Sequence, residues 1–363
     1  MSLNTLLSPY ALKSLNLPNR VVMAPMTRQF SPGGVPTDDV TRYYERRAED
    51  GIGLILTEGT VIERPASKNE PNIPNFFGEA LTAWGKVVEA VHAKGGRIAP
   101  QLWHTGAAAS QSGYDPAPKD TPSGLSLTGE QKWAPMTDAA IADSIAAFGC
   151  AASDAKRLGF DAIELHGAHG YLIDEFFWDQ TNRRGDQWGG PTIGERTKFA
   201  SEVIKAARAE VGPDYPIIIR ISQFKGGVYD ARVVTTENDL EAWVRPLLDA
   251  GADIIHASQR RFWEPEFEGS DLNFAGWVKK LTGAPVITVG SVGLSGDFIS
   301  AFGGEHSSPQ GIEELLRRLD RGDFDLVAVG RAILGDPTWL TKISAGRHEE
   351  LKPFDRSALA TLV

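Results

Sequence analysis

The stretch Ile163-Glu164-Leu165-His166-Gly167-Ala168-His169-Gly170-Tyr171-Leu172 brings two imidazoles and a phenol close together in the chain. Imidazole is the side chain most easily set as donor or acceptor near neutral pH, and a tyrosine hydroxyl keeps its proton there because its ordinary pKa is about 10. The trio can hold an electron-rich oxygen and supply one proton. The same His-x-x-His spacing suits a metal site, with Asp174 as the nearby carboxylate, and either ring can instead bond only to backbone.

Three other places carry chemistry of a complementary kind. Arg220 follows the apolar run Ile217-Ile218-Ile219, where a guanidinium leaving a buried strand needs an anion or a hydrogen-bond partner, in a ligand or in a structural ion pair. Gly290-Ser291 and Gly330-Arg331 offer bare backbone N–H groups, a hydroxyl and a guanidinium. Such a set suits a phosphate monoester, although glycines alone also serve tight turns.

The elements that must position these residues repeat one grammar. Apolar strands are expected at 19–25, 54–57, 97–102, 162–165, 217–221, 253–256, 285–289 and 326–329. Helices are expected at 38–50, 80–94, from Asp138 onward, and at 194–211, 237–250, 273–281 and 309–319. Residues 105–137, rich in Gly, Ser, Pro and Thr, are too long for an ordinary connector and are read as a capping excursion. The pattern predicts one closed parallel (β/α)8 TIM barrel over residues 1–363. An open doubly wound sheet lacks its G-x-G-x-x-G turn after the first strand. Catalytic groups of such barrels gather at the carboxyl ends of the strands, where Thr27, Gly59, Gln101, His166, Arg220, Gly290-Ser291 and Gly330-Arg331 fall.

Composition narrows the classes. Apolar residues make up 42% and charged ones 23%, enough for a sizeable core in a soluble globular protein. A net charge of -10 argues against a sequence-independent grip on nucleic acid or an anionic membrane, since either needs a basic face. Pro9 and Pro18 interrupt an amino-terminal region without a long apolar run, so a cytoplasmic location is expected. Cys150 is the single cysteine, which excludes an internal disulfide and a cysteine-ligated iron–sulfur cluster in this chain.

Taken together, these motifs resemble the Old Yellow Enzyme family of flavin-dependent ene-reductases. The likeness runs through Val21-Val22-Met23-Ala24-Pro25-Met26-Thr27-Arg28, Gln101-Leu102-Trp103-His104-Thr105-Gly106, the stretch ending at Leu172, Asn182-Arg183-Arg184, Gly189-Gly190 and Gly330-Arg331. The resemblance implies non-covalent FMN across the barrel mouth and NADPH or NADH as hydride donor. Ala24, Pro25, Met26, Thr27 and Gly59 would touch the ring, Gln101 its pyrimidine edge, and Arg220 its N1 and C2 carbonyl. Gly290, Ser291, Gly330 and Arg331 would hold the phosphate. His166 and His169 would bind the oxygen of an activated alkene and Tyr171 would protonate its α-carbon, with Thr27 and Trp103 beside the substrate. No metal is implied, and the enzyme would act on small molecules as a monomer or a homo-oligomer.

The chain departs from the family in places. Ala107-Ala108-Ala109 replaces a common arginine, Phe177-Trp178-Asp179-Gln180 lacks a frequent Ser-Pro, and Trp188 stands where tyrosine is common. These changes are expected in the pocket wall, where Phe262 and Trp263 are further candidates unless they only pack. Relatives that carry an additional iron–sulfur cluster and a second flavin domain are excluded by the cysteine count. A metal-dependent hydrolase and a non-catalytic phosphate binder are the competing classes.

Overall fold

A computed structural model of the chain describes residues 3–297 and 307–363. A short antiparallel hairpin comes first, β1 (Tyr10–Leu12) and β2 (Leu15–Leu17), paired Tyr10↔Leu17 and Leu12↔Leu15. Eight strands then close a parallel barrel: β3 (Val21–Met23), β4 (Leu54–Val61), β5 (Ile98–Trp103), β6 (Ile163–His169), β7 (Ile217–Lys225), β8 (Ile254–Ser258), β9 (Val286–Val289) and β10 (Leu326–Val329). Each pairs with its sequence neighbours, and β10 returns to β3 through Val327↔Val21, so the expected closed barrel is the fold.

Alternation along the strands sorts residues into two cores. Ile55, Ile163, Leu165, Ile217, Ile219, Ile221, Ile255 and Val327 face outward to the helices, whereas Leu54, Leu56, Ala162, Ile218, Ile254, Ile287 and Leu326 fill the barrel. Leu15 and Leu17 join the inner cluster with Tyr10 and Leu12 packed against it, so the hairpin plugs the barrel opposite the mouth. Each fully buried Ile or Leu contributes about 2 kcal/mol relative to exposure, which makes the plugged end the rigid base of the site.

Five helices begin at a side chain that accepts a first-turn N–H, from Thr37, Thr137, Thr192, Thr236 or Asn273. The α-helices among the described residues are α1 (Asp38–Glu49), α2 (Ala80–Ala93), α3 (Asp138–Arg157), α4 (Leu172–Phe177), α5 (Ile193–Arg196), α6 (Lys198–Val211), α7 (Glu237–Asp249), α8 (Phe274–Thr282), α9 (Glu313–Arg321), α10 (Arg331–Gly335) and α11 (Trp339–Ser344). Thr37 caps α1, and Thr137, not Asp138, caps α3; Asp138 accepts instead from Trp188 Nε1. The helix expected at 194–211 is two, because a Thr192/Glu195 capping box ends in a break at Thr197 before α6.

Strand lengths correct the sequence reading most. The strands expected to end at 57, 165, 221 and 256 continue to Val61, His169, Lys225 and Ser258. Pairing on both sides holds polar residues and glycines in extended backbone: His166 pairs with Arg220, Gly167 with Ile221 and His169 with Lys225, around an irregularity between Gly167 and His169. His166 therefore stands inside a strand, and the turn comes only at Gly170, whose φ is +82°.

Candidate active site

The trio converges as its spacing suggested. The His166 ring lies 5.2 Å from that of His169 and 4.8 Å from that of Tyr171, both edge-on. Trp103, from the end of β5, stacks near His166 at 5.9 Å and meets Tyr171 edge-on at 4.7 Å. Phe224 of β7 stacks on His169 at 5.0 Å, with Tyr229 beyond it at 6.5 Å. Tyr171 sits just before α4, and the Asp174 carboxylate of that helix accepts from Gly170 N at 2.6 Å and pairs with Lys225 at 2.7 Å, both side chains fully buried. That pair fixes the turn from which Tyr171 projects.

Arg220 is the cross-strand neighbour of His166; its Nη2 donates to Ser258 Oγ at 3.2 Å, while its buried Nε has no partner among the described residues. Ser258 also bonds His169 Nε2 at 2.9 Å, and Ser222 Oγ accepts from His169 N at 2.9 Å. These contacts hold His169 in a left-handed backbone with φ of +66°. Burial first, and then the Arg220 charge, hold both imidazoles well below the usual histidine range. Both are neutral rings, each able to donate one N–H. Burial pushes the Tyr171 hydroxyl up to about 12, against the opposing pull of Arg220.

On the neighbouring wall, Gly59 has no room for a Cβ, which would meet Trp103 Cε3 at 2.4 Å. Ala24 is buried, Pro25 and Met26 are half-buried and Thr27 is exposed at the mouth. A Cβ on Gly330 would lie 3.5 Å from Met26 Sδ, so the two sets are neighbours. Gly290, at φ +151°, is where a Cβ would strike Gln259 O at 2.5 Å. Ser291 beside it receives Arg331 Nη2 on its Oγ at 3.2 Å. Arg331 also donates to Gly296 O and Asp297 O, and burial lowers its guanidinium to about 10.

Two groups of residues fall outside the pocket where they were expected. Phe262 joins the outer core with Trp263 packed against it, and its backbone braces the 290 loop through Phe262 N to Gly290 O at 3.1 Å. Trp188 and Phe177 also pack in the outer core, because helix-facing burial exceeds what the mouth offers such large rings, and Trp178 lies over Lys225. Phe177 and Trp188 therefore lie in the shell behind the site, and Asp179 and Gln180 are exposed. Ala107 does border it, through its N–H to Glu175 Oε1 at 2.6 Å.

Sequence reasoning passed over Glu164, His256, Ser222, Ser258 and Phe224. A signal was present for two of them: Glu164 and His256 interrupt runs of Ile, Leu and Ala at inward positions. The metal alternative loses its ligand set, since Asp174 is committed to Lys225 and Gly170, and no group of three His, Cys, Asp or Glu gathers among the described residues.

This barrel, with a neutral His/His/Tyr wall beside a buried arginine and an arginine-backed glycine cradle to one side, has the site of a flavin oxidoreductase. Residues 5–350 match the model of the NADH:flavin oxidoreductase / NADH oxidase family, and the chain belongs to that family, the Old Yellow Enzymes. It is 32% identical over 374 residues to 12-oxophytodienoate reductase 7 of Oryza sativa subsp. japonica, covering 96% of this chain and 90% of that protein. It is 33% identical to the NADH oxidase of Thermoanaerobacter brockii over 93% of this chain, and spans half the length of that relative. Among solved structures, morphinone reductase superimposes with a TM-score of 0.79 at 30% identity, over 99% of this chain and 94% of that one. A structure of morphinone reductase in complex with tetrahydroNAD gives 0.77 at 29% identity.

FMN is the cofactor of this family, and the residues fit it. The buried Arg220 Nε has no acceptor among the described residues, and Gly290, Ser291, Gly330 and Arg331 form a cradle of the right donor chemistry for a phosphate.

Proposed function

We propose that the chain reduces the activated C=C bond of α,β-unsaturated carbonyl and nitro compounds at the barrel mouth by a ping-pong cycle. The convergence of His166, His169 and Tyr171 beside Arg220 carries this reading. FMN, when bound, would supply the hydride chemistry that links NADPH or NADH to the β-carbon of the alkene.

The protein's own groups do the rest. Ala24, Pro25, Met26, Thr27 and Gly59 bind the ring system, Gln101 its pyrimidine edge, and Gly290, Ser291, Gly330 and Arg331 the phosphate. Arg220 would place a fixed positive charge at the N1 and C2-carbonyl side of the ring, where it would favour added electron density. His166 and His169 orient the substrate oxygen with neutral N–H donors, whose hydrogen bonds strengthen as negative charge grows on it. Tyr171 Oη holds its proton until the α-carbon takes it from the face opposite the hydride. Trp103 and Thr27 border the substrate.

Residues 1–363 act as one barrel domain, with 105–137 capping the mouth. No helix among the described residues is long and apolar enough to cross a membrane, and we infer a cytoplasmic enzyme, monomeric or homo-oligomeric. Phenols that mimic the enolate test the donor pair. His166→Ala should weaken their binding at least about tenfold, roughly the 1.4 kcal/mol of one hydrogen bond to a charged oxygen. Unchanged affinity would sink the donor assignment.

A further inference from the structure

Gln101 belongs to a buried polar triplet whose other two members, Glu164 and His256, the proposed chemistry leaves unused. Glu164 on β6 is fully buried and receives two donors: Gln101 Nε2 on Oε1 at 2.8 Å and His256 Nδ1 on Oε2 at 2.5 Å. Gln101 is the direct neighbour of Glu164 across β5 and β6, and His256 pairs with Arg220 across β7 and β8. Three strands thus meet at one carboxylate.

We propose that Glu164 is a positioning residue that fixes which end of the Gln101 amide faces the flavin. A carboxylate only accepts, so Gln101 must turn its NH2 inward and its Oε1 away from Glu164. The pyrimidine edge of a flavin carries one N–H between two carbonyls, and an outward Oε1 gives that N–H an acceptor. A flipped amide would set donor against donor. Thr57 Oγ1, accepting from Gln101 N at 3.1 Å, holds the backbone but leaves the amide free to rotate, so the orientation depends on Glu164. His256 completes the arrangement. Its bond to Glu164 puts the proton on Nδ1 and leaves Nε2 bare, with no partner among the described residues, on the residue that pairs with Arg220 across β7 and β8.

Glu164→Gln offers one acceptor and one donor to two neighbours that both donate. Either His256 moves its proton to Nε2, beside the Arg220 charge, or Gln101 flips; the charge makes the flip the cheaper response. The inference rests on Gln101 meeting the flavin, so Gln101→Ala is the control for that reading. FMN dissociation constants, read from quenching of FMN fluorescence on titration with apoprotein, separate the two. Gln101→Ala should weaken FMN at least about tenfold, Glu164→Gln similarly, and Glu164→Gln in the Gln101→Ala background by less than about twofold more. Loss with Gln101→Ala alone, and none with Glu164→Gln, overturns the inference and spares the reading. No loss with Gln101→Ala overturns the reading. Independent additive losses overturn action through Gln101. Should Glu164→Gln fail to fold, the wild type still decides the matter, because it should hold 3-methyl-FMN, which lacks the N–H, at least about tenfold less tightly than FMN. Equal affinity for the two contradicts an outward Oε1.

Discussion

Neither imidazole of the trio carries a charge at pH 7, and the phenol beside them keeps its proton, because all three titrate away from neutrality in a site that burial and Arg220 control. Histidines lowered from 6.5 take up a proton only well below that pH, and Tyr171, raised to about 12, loses its own only far above 10. Donors and acid are therefore all in their working forms across the neutral and alkaline range. The rate constant of the alkene-reducing step, followed by stopped-flow absorbance at saturating alkene, should be flat within about twofold from about pH 6.5 to about pH 9. An inflection near 6.5 that disappears in His166→Ala would show a histidine that titrates normally, contrary to this account. The local trio was legible because its members are near neighbours in sequence. Gln101, Glu164 and His256 were not seen as a unit because they lie 63 and 92 residues apart and meet only when β5, β6 and β8 come together.

At the scale of elements, β4 does more than its four expected residues promised. Its extension carries Glu58, whose Oε2 accepts from Arg28 N at 2.8 Å and Gln29 N at 3.0 Å, holding the turn after Thr27 where Gln29 has φ +60°. Burial raises this carboxyl to about 7, against the two backbone donors and Arg28, while Tyr44 Oη accepts the Glu58 N–H. A raised folded pKa contributes stability that is complete below 4.5 and lost as pH rises through about 7. Glu58→Gln, which keeps an acceptor for both N–H groups, removes that dependence. Between pH 5 and pH 8 the wild type should lose about 2–3 kcal/mol relative to Glu58→Gln, from 1.36 kcal/mol per unit. Urea midpoints at the two pH values measure it, and a difference independent of pH would show a carboxyl that is ionised throughout. Strand ends such as this were misjudged because glycine and charge read as punctuation in sequence, whereas pairing on both sides of a barrel strand overrides them.

For the molecule as a whole, the barrel was legible because inward and outward residues alternate along strands separated by capped helices. The hairpin at Tyr10–Leu17 was not: its strands are three residues each, Pro9 precedes them, and Lys13 turns the chain at φ +52°. With that plug at one end, the proposed chemistry falls at the other, and in the proposed ping-pong cycle nicotinamide and alkene use one mouth in turn. In the proposed cycle the two half-reactions differ in one respect, which is that only the alkene needs a proton from Tyr171. Stopped-flow measurement of Tyr171→Phe therefore tests the central claim most directly. Flavin reduction by NADPH or NADH should stay within about twofold of wild type, while reoxidation by an enone should slow at least about a hundredfold. Equal slowing of both half-reactions, or of neither, would contradict the account.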